Sequence, residues 1–235
     1  MNIISFFNAK GGTGKTSLCY LSGLYMATRG NRILFVDLDS QKSLTRYLEK
    51  TTEKTYTLFD VLIDTIPVNH AIQKAGNYDL IPGSLKLQKL FSGITESKLE
   101  RLFSNLAYDY ILLDCPPALS SIVYSAIYAS SLMMIPFLAS QADIESTLFT
   151  YQEVKEIKKE IDMIGVFNRY KNIQKDNYYL SGLEDFQGIT TTFPNLSNLS
   201  LFIESKDDMN LKRNSQIKES IEILSGLISS KVVSI

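Results

Sequence analysis

The chain has 235 residues, of which 45% are hydrophobic, and its formal net charge at neutral pH is −1. This length and hydrophobic content are enough to bury one large core, so we expect a single domain over residues 1–235. The small net charge excludes a protein that is basic over its whole surface, and any contact with nucleic acid or anionic lipid must therefore use a local patch.

The two cysteines, Cys19 and Cys115, are far apart in the sequence and form no Cys-x-x-Cys pair or Cys/His cluster. This usage is typical of a reducing compartment, and we expect both thiols to be buried packing groups. The N-terminus has no basic segment before its short apolar run, so no secretory signal peptide is visible. We therefore expect a cytoplasmic protein.

The chain opens with a short apolar run, Ile3–Phe7, that predicts a strand, and Thr16–Thr28 carries the apolar stripe of a helix. Between them lies a glycine-rich loop whose backbone N–H groups are free to point at one anion, with the positive end of the helix behind them. Lys15 is predicted to reach the β- and γ-phosphates of a nucleotide, and the Thr16 hydroxyl to contact Mg²⁺. The predicted nucleotide-binding residues are Lys10, Gly11, Gly12, Thr13, Gly14, Lys15, Thr16 and Ser17.

The string from Lys10 to Thr16 resembles the deviant Walker A motif of the ParA/MinD superfamily. The resemblance implies a P-loop ATPase that uses ATP and Mg²⁺ and pairs face to face as a homodimer around two nucleotides. It also implies that Lys10 crosses to the nucleotide of the second protomer, where a cation would compensate charge that develops between the phosphates. Lys10 and Lys15 are therefore candidate catalytic residues.

The next apolar run, Ile33–Val36, predicts a parallel strand that is buried on both faces and ends in Asp37-Leu38-Asp39-Ser40-Gln41. Alternation along a strand puts Asp37 and Asp39 on the same side, at the edge where ligands bind in open α/β sheets. The superfamily has Asp-x-Asp-Pro-Gln here, which implies that Asp39 orients the attacking water and that Asp37 supports Mg²⁺. Either carboxylate could instead cap the strand end or form a turn.

A second apolar strand, Tyr110–Leu113, ends in Asp114 and is followed by Cys115-Pro116-Pro117. A carboxylate at this edge of the sheet can accept hydrogen bonds from Mg²⁺-bound water, as in a Walker B motif. Its distance from the phosphate loop and the following prolines match the second switch of the superfamily.

Residues 115–142 carry no charge and are numerous enough to span a bilayer. Prolines interrupt this stretch, and we predict a buried helix, Leu119–Ser130, followed by a buried strand, Ser131–Pro136, in place of a transmembrane segment. A long helix is predicted over Ala142–Ile161. The resemblance would put a glutamate where this chain has Ser140.

Met163–Phe167 predicts another strand that leads to Asn168, and Ile189–Phe193 predicts the last one, which is followed by Pro194. The resemblance implies that Asn168 hydrogen-bonds the adenine ring and that Pro194 lies near its face. An asparagine that caps a strand end is the alternative. Lone His70 has no partner with catalytic spacing, so we expect it on the surface.

A C-terminal helix is predicted over Ser215–Ser229, with an inward apolar stripe. Lys212, Arg213 and Lys218 form a basic cluster near its start, which could hold duplex phosphates without reading bases. Ordinary solubilising charge is the alternative interpretation of this cluster.

The sequence therefore predicts a mostly parallel, doubly wound sheet with helices on both faces and the nucleotide at its carboxyl edge. The resemblance implies a ParA-type DNA-segregation ATPase that binds Mg·ATP, associates with nucleoid DNA without sequence specificity, and is stimulated by a ParB-like partner. Because the chain starts at the first strand, we do not expect an N-terminal helix-turn-helix domain.

Two other classes of function remain open. A MinD-like membrane-positioning ATPase requires a basic amphipathic C-terminal helix, whereas this one carries Glu219 and Glu222 on its polar side. A dethiobiotin-synthetase-like ligase would need a second substrate pocket, and a nitrogenase-reductase-like electron carrier would need cluster-binding cysteines.

Overall fold

A computed structural model describes residues 1–49, 56–90, 92–183, 186, 188–195, 199, 203 and 215–232. The described strands form one sheet in the order β3-β4-β2-β5-β1-β6-β7-β8, in which β3 is antiparallel and all the others are parallel. The strands are β1 Asn2–Phe6, β2 Ile33–Asp37, β3 Gln73–Lys74, β4 Tyr78–Ile81, β5 Tyr110–Asp114, β6 Leu132–Phe137, β7 Asp162–Tyr170 and β8 Ile189–Pro194.

Helices connect the parallel strands, as crossover connections require. They are α1 Lys15–Thr28, α2 Ser43–Leu48, α3 Leu58–Leu62, α4 Lys98–Phe103, α5 Ser121–Ala129, α6 Gln141–Ile157, α7 Gln174–Ser181 and α8 Ser215–Val232, with 3₁₀ turns at Val68–Ala71 and Leu85–Lys89. The predicted doubly wound fold is thus confirmed.

The central strands are buried at every position, as their continuous apolar runs predicted. Hydrophobic residues therefore cover both faces of the sheet. On one face the strands pack against α1 and against the buried stripe of α8, which includes Ile217, Ile221, Leu224 and Ile228. On the other face α4, α5 and α6 supply the core, including Leu99, Phe103 and Val123. Both cysteines are buried free thiols, and His70 is exposed, as predicted.

Several predicted boundaries were wrong. Helix α6 ends at Ile157, and α8 continues to Val232. The short helical pattern over Val68–Ala75 predicts a helix, but this segment contains one 3₁₀ turn and the short antiparallel strand β3. The uncharged stretch consists of α5 and β6 with their connections, and no helix in the described part of the chain is long and apolar enough to cross a membrane.

The strand order brings the predicted site together. Strand β1 lies next to β5, and β5 lies next to β2, with Asp114 in register with both Phe6 and Asp37. Because all three strands are parallel, the phosphate loop after β1 and the two carboxylates share the carboxyl edge of the sheet.

Candidate nucleotide-binding site

The glycine-rich loop ends at the amino terminus of α1. Gly14 is the N-cap residue with φ +101°, and Gly12 has φ +76°, so both adopt the left-handed conformation that glycine tolerates. A Cβ on Gly14 would lie 2.1 Å from the side-chain nitrogen of Asn168. The first turn of α1 has no side-chain cap and no acidic residue, so its N–H groups and helix dipole favour an anion at this point.

Lys15 is the first residue of α1, and its side chain contacts the backbone of this loop. It is buried, and its Nζ donates to the carbonyl oxygens of Asn8 at 3.1 Å and Lys10 at 2.8 Å. Burial lowers the pKa of Lys15, while the nearby Asp114, Cys115 and Asp39 act in the opposite direction. A cation held by two neutral carbonyls is well placed for the terminal phosphates of a nucleotide.

Asp114 is almost completely buried, and no hydrogen bond of good geometry reaches either of its carboxylate oxygens from the described residues, although the Thr16 hydroxyl is close enough to act on it. Burial raises the pKa of Asp114 well above its ordinary value and the charge of Asp37 adds to this, whereas the Thr16 hydroxyl and Lys15 favour the ionised form. An unpartnered buried carboxylate beside a phosphate loop fits the coordination sphere of Mg²⁺, which keeps several of its waters when it binds phosphates. Thr16 lies half-buried in the first turn of α1.

Asp37 and Asp39 differ in what they contact. Asp37 is completely buried, and its Oδ2 accepts hydrogen bonds from the amide and the hydroxyl of Thr45, while its Oδ1 accepts the amide of Asp39. Both oxygens of Asp37 are therefore used within the chain, which agrees with the turn-forming alternative, and the support of Mg²⁺ by Asp37 stays a prediction. Asp39 is partly exposed, and its side chain accepts the amide of Gln41 at 2.8 Å.

Burial raises the pKa of Asp37 to about 6, although the hydrogen bonds from Thr45 and Asp39 favour its ionised form.

Lys10, at the entrance of the loop, contacts the start of α6. Its Nζ lies 2.8 Å from Asp143 Oδ2 and 3.3 Å from the hydroxyl of Ser140. Ser140 caps α6 by accepting the amide of Asp143, and its hydroxyl also donates to the Asp143 carboxylate. Asp143 was not among the predicted site residues, although Ser-x-x-Asp before a helix is a known cap signature.

Asn8 also joins the loop to α6, and the sequence analysis did not select it. Its amide nitrogen donates to the carbonyl of Pro136 and to the hydroxyl of Thr147, and its oxygen accepts the amide of Lys10 and the hydroxyl of Ser146. Every polar atom of this buried side chain therefore helps to fix the position of the loop entrance.

Comparison with known proteins agrees with this geometry. A sequence model of the family described as AAA domain matches residues 1–164. The sporulation initiation inhibitor protein Soj of Bacillus subtilis is 31% identical over 170 residues, which cover 68% of this chain and 67% of Soj. The chain belongs to the ParA/MinD superfamily. Members of this superfamily are ATPases.

Other relatives of the superfamily extend the comparison. The cell division protein PomZ of Myxococcus xanthus is 29% identical over 169 residues, which cover 68% of this chain and 53% of PomZ, so the match spans about half of that protein. A solved plasmid partition protein from Borrelia burgdorferi B31, bound to AMPPNP, has a TM-score of 0.85 at 23% identity, covering 97% of this chain and 99% of that one. This likeness shows the ParA/MinD fold.

Asn168, for which the superfamily resemblance predicts a contact with adenine, lies directly behind the phosphate loop. Its nitrogen donates to the carbonyl of Thr13 at 2.9 Å, and its oxygen accepts the amide of Arg169. Pro194 ends the neighbouring strand β8, where the amide of Asn195 donates to the carbonyl of Tyr170. The adenine contacts of Asn168 and Pro194 stay predictions, and the observed contact supports the loop.

The predicted DNA-binding cluster is only partly visible. Lys212 and Arg213 lie outside the described residues, and Lys218 is exposed on α8. A different basic surface lies around the end of β7, where Arg169, Lys171 and Lys175 are all exposed. The acidic residue in this segment, Asp176, is buried and accepts the amide of Lys171 at 2.6 Å, so it does not add an exposed carboxylate to that surface.

Proposed function

We propose that this chain is a ParA-type partition ATPase that binds Mg·ATP, dimerises on it, associates with DNA without sequence specificity, and hydrolyses ATP slowly under stimulation by a ParB-like partner. The observation that supports this proposal best is the convergence of Lys10, Lys15, Asp39 and Asp114 at one edge of the sheet. Nucleoid association in the cytoplasm follows from the same proposal.

ATP would lie against the loop amides and Lys15, with Thr16 and Asp114 near the metal. Bound Mg²⁺ would neutralise charge on the phosphates during their transfer to water. Asp39, which is partly exposed, is the residue that orients the attacking water in this proposal, and Lys10 supplies the compensating charge to the second protomer.

For DNA, we propose that the surface formed by Arg169, Lys171 and Lys175 contributes together with Lys218. Three exposed cations with no exposed acidic residue among them make a local positive patch on a nearly neutral protein. Contacts of this kind hold phosphates and do not read bases, so they produce binding that weakens steeply with salt.

The deciding experiment is an ATPase assay with and without nonspecific duplex DNA, repeated at raised salt. We expect stimulation by DNA that disappears as salt rises, and stimulation that increases further with a centromere-bound partner protein. Hydrolysis that is indifferent to DNA at low salt would contradict the partition function. Absence of hydrolysis under every condition would contradict the enzymatic assignment itself.

The DNA surface can be tested separately. The double variant Lys171→Ala/Lys175→Ala should weaken DNA binding and reduce the slope of log K against log salt by about 1 for each lost phosphate contact. Lys159→Ala removes an exposed lysine beyond the end of α6 and should leave binding unchanged. An equal loss of affinity for each charge removed in the two variants would show that only net charge matters.

The membrane-positioning alternative can be tested in parallel. The buried stripe of α8 packs into the core, and its described outer side carries Glu219 and Glu222 beside Lys218, with Ile223 exposed. A helix that is docked and mixed in charge is poorly suited to lie in a lipid interface. Co-sedimentation with anionic liposomes and with plasmid DNA, both with ATP, should therefore favour DNA.

A further inference from the structure

Thr45 connects the ends of two neighbouring strands on the carboxyl edge of the sheet. It lies in α2 and is completely buried. Its hydroxyl donates to Asp37 Oδ2 at 2.6 Å and accepts the amide of Gly83 at 2.9 Å, while its own amide donates to the same Asp37 oxygen at 2.8 Å. Because a hydroxyl has one proton to donate, these partners fix its orientation.

The same contacts reach Asp39 by two routes. The first route is Asp37, whose other carboxylate oxygen, Oδ1, accepts the amide of Asp39 at 3.1 Å. Through Gly83, the backbone after β4 packs so closely that a Cβ at that position would lie 3.0 Å from the Asp39 carbonyl oxygen and 3.0 Å from Asp37 Cγ. The backbone of Asp39 is therefore held between Asp37 and Gly83, and the Thr45 hydroxyl contacts both.

We propose that Thr45 is a positioning residue for Asp39 in ATP hydrolysis. It acts by holding the Asp37 carboxylate and the Gly83 backbone in the places that set the turn at Asp39. This inference rests on the proposed ATPase function. Catalysis tolerates little displacement of a group that orients water, so loss of this support should lower the rate of the chemical step more than it weakens nucleotide binding.

The test is Thr45→Val, which keeps the shape of the side chain and removes the hydroxyl. We expect kcat to fall by about tenfold or more, with the Kd for a fluorescent ATP analogue within about twofold of wild type, since a misplacement near 1 Å can cost about 100-fold in rate. Thr45→Ser restores the hydroxyl and should recover most of kcat. A wild-type kcat in Thr45→Val, or no recovery in Thr45→Ser, would overturn the proposal.

A matched control separates positioning from stability. Ser125 is a completely buried hydroxyl that accepts the amide of Leu99 at 3.0 Å, between α5 and α4. Ser125→Ala should lower the melting temperature to a similar extent as Thr45→Val while kcat stays at the wild-type value. A fall of kcat in Ser125→Ala equal to that in Thr45→Val would show that destabilisation alone explains the loss.

If Thr45→Val does not fold, Gly83→Ala tests the same link from its other side. Its added methyl group must displace Asp37 or the Asp39 backbone, so kcat should fall while the analogue still binds. An unchanged kcat in a folded Gly83→Ala protein would refute the inference. If the wild-type protein does not hydrolyse ATP, the proposed function fails, whereas equal rates in wild type and Thr45→Val overturn only the role of Thr45.

Discussion

Lys10 and Asp143 form an ion pair across 133 residues of sequence, with Nζ 2.8 Å from Oδ2. The carboxylate is buried, and about a third of the lysine side chain is exposed, at 34%. In the single chain, the cation that the proposed mechanism places at the second protomer is thus held by its own helix α6. A lysine that moves to a partner nucleotide must first leave Asp143.

We expect Asp143→Asn to favour the ATP-dependent dimer, because an amide of the same shape holds Lys10 less tightly than a carboxylate does. A hydrogen bond to a charged group contributes about 1.5 to 3 kcal/mol, and because both protomers carry the pair, twice that amount sets the upper bound of the effect on the dimer dissociation constant. Analytical ultracentrifugation with ATP measures it. An unchanged or weaker dimer would show that the ion pair does not oppose association.

Lys10→Ala is the complementary variant. It should still bind a fluorescent ATP analogue, because Lys15 and the loop amides remain, but it should not form the ATP-dependent dimer. Gel filtration with ATP gives the answer. Normal dimerisation of this variant would exclude a role for Lys10 across the interface.

Lys15→Ala should abolish nucleotide binding. The variant loses the cation for the terminal phosphates and also the two hydrogen bonds that tie the loop carbonyls of Asn8 and Lys10 together. A loss of about 2.8 kcal/mol of binding free energy corresponds to a 100-fold higher Kd, since 1.4 kcal/mol is a tenfold change. Isothermal titration calorimetry with Mg·ATP should show an affinity that is lower by at least about this factor. Binding at near wild-type affinity would contradict the assignment of this loop.

Asp39→Ala should retain nucleotide binding and accumulate the dimer with intact ATP, because the water would no longer be oriented. Loss of a group that acts mainly on the transition state lowers kcat with little effect on binding. Chromatography of the bound nucleotide after prolonged incubation distinguishes ATP from ADP. Recovery of mostly ADP would assign the role to another residue.

Asp114→Asn tests the unpartnered carboxylate. Because burial raises the pKa of Asp114, the folded protein binds this proton more tightly than the unfolded chain, and the free energy of unfolding falls as pH rises through the interval between the two pKa values. Without nucleotide, the variant should therefore melt at a higher temperature than wild type at neutral pH, with a flatter dependence on pH. A buried unpartnered charged group costs at least about 1 to 3 kcal/mol.

The same variant should bind Mg·ATP more weakly and should respond less to Mg²⁺ than wild type does. Thermal melts between mildly acidic and neutral pH, with and without Mg·ATP, test both effects. A variant that is less stable than wild type at neutral pH would show that the carboxylate has partners in solution.

The sequence predicted the edge of the sheet at which the site lies, because strand-forming runs and the residues that follow them are local patterns. Asp37, Asp39 and Asp114 could each be placed at a strand end in this way. What each carboxylate contacts depends on other elements. The Asp37 carboxylate accepts hydrogen bonds from Thr45. The side chain of Thr45 is buried because α2 packs Leu44 and Leu48 against the core.

Long-range partners could not be predicted for the same reason. Lys10 was predicted from its place in the loop motif, but only the crossover from β6 into α6 brings Asp143 beside it. Asn168 was predicted from the superfamily pattern, yet its contact with Thr13 requires β7 to end behind the loop. The β3 strand was missed because two residues on a sheet edge carry no detectable alternation.

The position of β1 inside the sheet determines when this strand can be buried during translation. This first strand needs β5 on one side and β6 on the other, and β6 ends at Phe137. A ribosome must therefore translate as far as Phe137 before Ile3, Ile4 and Phe6 are enclosed on both sides, so β1 is secured long after it has been made.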